Sequence, residues 1–160
     1  MHIVAPVITQ SPAVNSTTKQ HALGLILPSD DATYGAGEVI YLKGVASTAV
    51  GSWVTYNADD YSTTLLAANA IGQVAVALSA CVASEYGWYQ ISGKAVGKAL
   101  AAYADNGLVY ATATAGSVDD AVVAGDRVKN AIGASAVGTP SAGLAEFEIA
   151  RPYMDDATAA

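Results

Sequence analysis

The chain has 160 residues, of which 52% are hydrophobic and 13% charged, and it carries a formal net charge of −7 at pH 7. Its length suits one domain with a full core. An acidic chain is repelled by a phosphate backbone, which argues against nucleic acid as a partner, and no apolar run reaches the roughly 18–20 residues of a membrane helix.

The charged fraction is about half the roughly 25% of an ordinary soluble domain, so much of the surface is expected to meet other protein. Ala and Val carry the apolar share, with one Phe against nine Tyr. Such a chain must pack through small side chains and close backbones, which suits sheets.

In chain order, residues 1–35 form a zone rich in Ser, Thr and Pro around "TQSPAVNSTTKQ" and read as an extended N-terminal arm that becomes ordered on a neighbour. Its start, "MHIVAPVITQSPAV", has no basic stretch before an apolar run, so synthesis in the cytosol is expected. Residues 36–160 read as the β-rich domain. After the turn-forming "PSDDATYGAG", the segment "EVIYLKGVAS" puts Val39, Tyr41 and Lys43 on one face and Ile40 and Leu42 on the other. Both faces are mostly apolar, so this strand should be covered on both sides.

Further strands are predicted at "WVTYN" (53–57), "TTLLA" (63–67), "QVAVALS" (73–79), "GWYQIS" (87–92), "LVYATAT" (108–114) and "AEFEIAR" (145–151), separated by Gly, Asn and Asp. Two stretches carry helix signals. Residues 94–104 place Val96, Leu100 and Tyr103 at helical spacing, and 117–132 open with Ser117 and Asp120 near a capping arrangement. Gly97 and Gly125 would each cost a helix interior about 1 kcal/mol relative to Ala, which favours strand for both. The predicted fold is all-β, a small β-barrel or β-sandwich with at most one short helix and an extended N-terminal arm.

The stretch "YGWYQISGKAVGKAL" (86–100) resembles a phosphate-binding loop through Gly93, Gly97 and Lys98. The glycines are one residue too close, and Ala99 stands where a hydroxyl should reach Mg²⁺. It reads instead as a hairpin with a tight turn at Gly93 and Lys94. On its return strand Ala95, Gly97 and Ala99 share a face that lets a backbone or large ring approach.

No other catalytic pattern emerges. Ser141 in "GTPSAG" lacks the spacing of a nucleophile elbow, and His2 and His21, the only imidazoles, lie in the arm. Cys81 stands alone and reads as a small buried hydrophobe. The Asp doublets at 30–31, 59–60, 119–120 and 155–156 suit turns better than a calcium loop, whose ligands alternate. The chain is expected not to be an enzyme and to use no cofactor or metal. Trp53, Tyr56, Trp88 and Tyr89 are the candidate protein-contact residues, and with Tyr61 they could form an aromatic platform.

Three motifs, "YGWYQISGKA", "AVVAGDRV" and "AEFEIARP", carry a wider likeness across residues 37–155. Here the chain resembles the small β-rich decoration, or cement, proteins of tailed-bacteriophage heads. The resemblance implies a virion protein on the outer capsid surface that bridges subunits of the major capsid protein, as a homo-oligomer with a trimer favoured, and without membrane or nucleic acid as partner. The alternative is a carbohydrate- or receptor-binding module of a phage tail or surface fibre, suggested by the Trp and Tyr supply.

Overall fold

The computed structural model describes residues 8–156. Ten strands account for its regular structure: β1 (Ile26–Asp31), β2 (Gly35–Lys43), β3 (Trp53–Tyr56), β4 (Thr63–Leu65), β5 (Ile71–Ala77), β6 (Tyr86–Lys98), β7 (Leu108–Ala111), β8 (Val118–Asp119), β9 (Arg127–Gly133) and β10 (Leu144–Asp155). The described residues contain no helix, so the all-β expectation holds and the allowance for a short helix is dropped. Within 94–104 the reason is visible, because Ala95, Gly97 and Ala99 are buried and alternate with more exposed neighbours, a period of two. In 117–132 the chain instead makes the two-residue β8, a turn, and β9.

All pairings between these strands are antiparallel, in the order β1-β2-β6-β5-β10-β9-β7-β8, with β3 beside β5 and β4 beside β3. The last strand does not pair back onto the first, so the sheet is not closed into a barrel. The expectation of a barrel is corrected to an open, branched antiparallel sheet.

β6 is the hub, and it corrects the hairpin reading. It runs as one strand of 13 residues with no reversal at Gly93 and Lys94. Its first half pairs with β2 and β5, and its second half, from Ser92 to Lys98, pairs with Ala150 to Leu144 of β10. Gly93 lies where the partners change, with φ of +93°, and a Cβ there would sit 2.6 Å from the Ala36 carbonyl oxygen. The glycine therefore permits a bend within a strand and a close backbone approach. β10 is divided in the same way, since Tyr153 to Asp155 leave β6 and pair with β5.

The core falls into three clusters. The largest surrounds Trp53, Val74, Tyr103 and Phe147, with the Trp53 and Phe147 rings edge to face at 4.9 Å. The second holds Ile40, Leu42, Val54, Tyr89 and Ile91. The third, Val39, Tyr41 and Trp88, occupies the other face of β2 and β6. Both faces of β2 are thus covered, as its sequence predicts. Gly97 lies directly under Trp53, where an added Cβ would be 2.5 Å from Nε1. The expected approach of a large ring to the Ala95, Gly97 and Ala99 face is present.

The third cluster is covered by the N-terminal segment itself, and residues 9–25 form a strap across β2 and β6. Gln10 is buried, its Oε1 accepting from the Tyr41 hydroxyl at 2.6 Å and its Nε2 donating to the carbonyls of Val14 and Tyr86. The Trp88 indole N–H donates to the Gln10 carbonyl at 3.0 Å. Ser16 and Tyr86 exchange two backbone hydrogen bonds, and His21 is buried against the rings of Tyr41 and Trp88, each centroid at 5.2 Å. Leu23, Leu25 and Leu27 complete the cover. From Thr9 onward the segment read as an arm therefore packs on its own chain, and β1 is an edge strand of the sheet. The boundary placed at residue 35 falls on the first residue of β2.

Candidate functional site

The four aromatic residues singled out from the sequence do not come together. Trp53, Trp88 and Tyr89 are each at most 1% exposed and belong to three different core clusters. A chain with one Phe has to fill its interior with Trp and Tyr, so these rings are absorbed by packing. The surface platform is corrected accordingly, and the three rings are not available as contact residues. Tyr56 is half-buried, as is Tyr61, and both pack against the second cluster. Burial pushes the Tyr56 phenol above its ordinary range.

Cys81 is buried in that second cluster, and burial pushes its thiol up to about 11. The Tyr89 hydroxyl is buried with no hydrogen-bond partner among the described residues, and its phenol is pushed up by burial first and by the neighbouring Cys81 second. These groups are held protonated, which opposes a role as nucleophile or base. His2 lies outside the described residues.

Two of the acidic doublets hold local turns, and the other two make longer-range contacts. Asp31 Oδ1 accepts from the Thr33 and Tyr34 amides, at 2.8 and 3.0 Å, which holds its carboxyl below the ordinary range. Asp60 takes the Ser62 hydroxyl and amide and is lowered in the same way. Asp120 accepts from the Ala104 amide, and Asp155 pairs with Lys129. Among the described residues no three His, Cys, Asp or Glu side chains converge as a metal site would require.

One carboxylate that matters has no doublet to mark it in the sequence. Asp126 is 3% exposed, and its Oδ1 accepts from the Asn69 amide at 2.5 Å. This bond joins the β4–β5 loop to the β8–β9 turn. Near its two ends stand the two most exposed large apolar side chains described, Val122 at 78% in the β8–β9 turn and Ile71 at 71% at the start of β5, and Val123 is exposed as well. A buried acceptor 57 residues from its donor leaves no local sequence signal.

The other feature with chemical character is a groove of about 290 Å³ between the strap, the β1–β2 turn and β6. It is the part of the outer β2–β6 face that the strap leaves open. Val39, Leu78 and Val96 give it apolar walls, and Pro12 and Ala13 of the strap close one side. Lys94 and Tyr34 stand at the rim, the ammonium 5.7 Å from the ring centroid. Lys94 is also paired with Glu146 at 2.5 Å, which raises its pKa. Gln90 donates both amide hydrogens inward, to the carbonyls of Ser92 and Lys94, each at 3.1 Å. Its Oε1 remains an open acceptor. Asp30, also on the rim, makes no hydrogen bond or ion pair among the described residues.

Comparison of the chain with protein-family models, curated protein sequences and solved structures finds no match.

Proposed function

We propose that this protein is a non-catalytic structural component of a tailed-phage virion that binds the outer capsid surface and bridges subunits of the major capsid protein. The observation that carries the reading is the exposure of Ile71, Val122 and Val123, apolar side chains that stand within two to four residues of the two ends of the Asn69–Asp126 hydrogen bond. Exposed apolar side chains gain contact area when a partner covers them. The low proportion of charged residues supports the same reading, as does the resemblance carried by the motifs at 86–95, 121–128 and 145–152.

In this reading the sheet bends back on itself at β6 and β10 as a sandwich whose rigidity holds these side chains in place. Homotrimeric assembly would repeat one modest contact three times and turn it into firm attachment. The carbohydrate- or receptor-binding alternative drew on an aromatic platform, and three of its rings are in the core.

The test is to mix purified protein with undecorated heads and image them by electron microscopy. Added density at regular lattice positions is expected. The double variant Val122→Asp, Val123→Asp should fold normally and lose that density, and absence of density with the unaltered protein would overturn the proposal.

A further inference from the structure

We infer that the outer face of β7, β9 and β10 is a two-fold contact between copies of this chain, in which Arg127 of each copy meets Glu148 of the other on either side of an apolar line formed by Leu108 and Ile132. The contact stands apart from the capsid reading, and its two-fold symmetry differs from the three-fold assembly proposed there.

The pairing registers put these four side chains on one side of the sheet. Glu148 lies opposite Ile132, Ile132 lies opposite Leu108, and Arg127 lies opposite Tyr110, two residues along β7 from Leu108. Their chain neighbours Val109, Val128, Ala131, Phe147 and Ile149 belong to the largest core cluster, so the four point away from it. All four line one shallow depression of about 540 Å³. Leu108 and Ile132 are 38% and 39% exposed.

The charges on this face are complementary to themselves. Arg127 and Glu148 are both exposed, and neither is in a side-chain hydrogen bond or an ion pair among the described residues. Lys94, the cross-strand neighbour of Glu148, is held by Glu146. Asp119 lies two strands from Arg127, across Tyr110, and its Oδ1 accepts from the Asp120 amide. Arg127 and Glu148 are thus an unmatched cation and an unmatched anion on a single face, in a chain whose net charge of −7 opposes association through its acidic surfaces.

Their placement fits a two-fold axis. On an ideal ladder, with strands about 4.8 Å apart and about 3.4 Å between residues, the line that exchanges Glu148 with Arg127 passes within about 1.5 Å of both Ile132 and Leu108. Rotation by 180° about that line lays one face on another. Each apolar side chain then meets its own copy near the axis and each charge meets its opposite, twice, as an isologous contact requires. A different protein would have to supply this matched pattern, whereas a second copy carries it already. A patch three strands wide is smaller than the roughly 800 Å² per partner of a standard interface, so the dimer is expected to dissociate on the order of 0.1 mM.

The experiment is sedimentation equilibrium of the full chain across about 0.01–1 mM at low salt, where a monomer–dimer equilibrium is expected. Arg127→Glu and Glu148→Arg each set like charges against each other at both pairs. Each should weaken the dimer about tenfold or more and leave the far-ultraviolet circular dichroism unchanged, because neither side chain has a partner to lose within its own fold. In an equimolar mixture of the two variants opposite charges face each other at both pairs again, so a mixed dimer should form about as tightly as the unaltered one. Damage to the fold would not be repaired by mixing.

A chain that stays monomeric to the top of that range, or that associates only as a trimer, overturns the contact. So does a dimer indifferent to both reversals, or a mixture that associates no better than either variant alone. Attachment to phage heads is a separate readout, and neither its presence nor its absence alters these outcomes.

Discussion

Replacing Gly97 tests whether its close contact with the core ring of Trp53 has the role its geometry implies. A Cβ added there would lie 2.5 Å from Trp53 Nε1, 2.9 Å from Cε2 and 3.1 Å from Cζ2. The nearest of these is about 0.9 Å short of the 3.4 Å at which ordinary contact begins. Trp53 is fully buried and has Phe147 against it at 4.9 Å, so the indole has no open side to move into. Overpacking of this kind costs about 1–3 kcal/mol, and Gly97→Ala is expected to cost about 2 kcal/mol. In a chain of this size that lowers Tm by about 4–8 °C. Gly97→Val adds two more methyl groups and should cost about 3 kcal/mol or more.

Urea unfolding followed by tryptophan fluorescence reads the loss directly, provided the slope is unchanged between variants. Lys98→Ala is the control, because Lys98 is half-exposed with no ion pair among the described residues, and it should stay within about 0.5 kcal/mol of the unaltered protein. If Gly97→Ala is equally silent, or if Lys98→Ala costs as much, the packing account of these glycines is wrong.

The strap makes a second prediction: Gln10→Ala should cost about 2 kcal/mol in urea unfolding, because it removes the acceptor of the Tyr41 hydroxyl and the side-chain donor to the Val14 carbonyl, while the Tyr86 carbonyl keeps the Ser16 amide. For Cys81, with its thiol pushed up to about 11 from an ordinary 9.0, the folded state holds the proton more tightly than the unfolded. Its contribution to stability is therefore full below about pH 9 and is lost as pH rises toward 11, and at pH 8 a thiol reagent should react at the rate of unfolding. Glu38 shows the opposite sign. The Arg151 guanidinium, bonded to it at 2.9 and 3.1 Å, holds its carboxyl below the ordinary 4.5, so the pair stabilises the fold above that value and stops doing so as pH falls through the folded value. Glu38→Gln should accordingly flatten the fall of Tm between pH 6 and 3.

Strand content was legible because β-branched and aromatic runs bounded by Gly, Asn and Asp report local preference, and β3, β4 and most of β2, β5 and β10 lie where those runs fall. β1 escaped notice for a physical reason. Pro28, Asp30 and Asp31 look like a turn, yet an edge strand can hold a proline without losing a ladder bond, and its charges discourage further pairing. The false turn at Gly93 has a related cause. A glycine at positive φ serves a reversal and a mid-strand bend equally well, and only the identity of the pairing strands, set some 50 residues away in β10, separates the two. The groove was illegible for the same reason, since its lining from β1, β2 and β6 is assembled only through the pairing of those strands. Aromatic count suggested a surface platform, but count alone does not say which rings a Phe-poor interior will claim.

The strap also orders events in time. Gln10 is made before β6, and the Tyr86 carbonyl it binds lies 76 residues downstream. During synthesis, Val39 and Tyr41 emerge before β6 exists, and the segment that will cover them has no Trp88 to hold it. The strap is thus made before the strand that fixes it, and a protease present during translation would find residues 9–25 uncovered until β6 has been made.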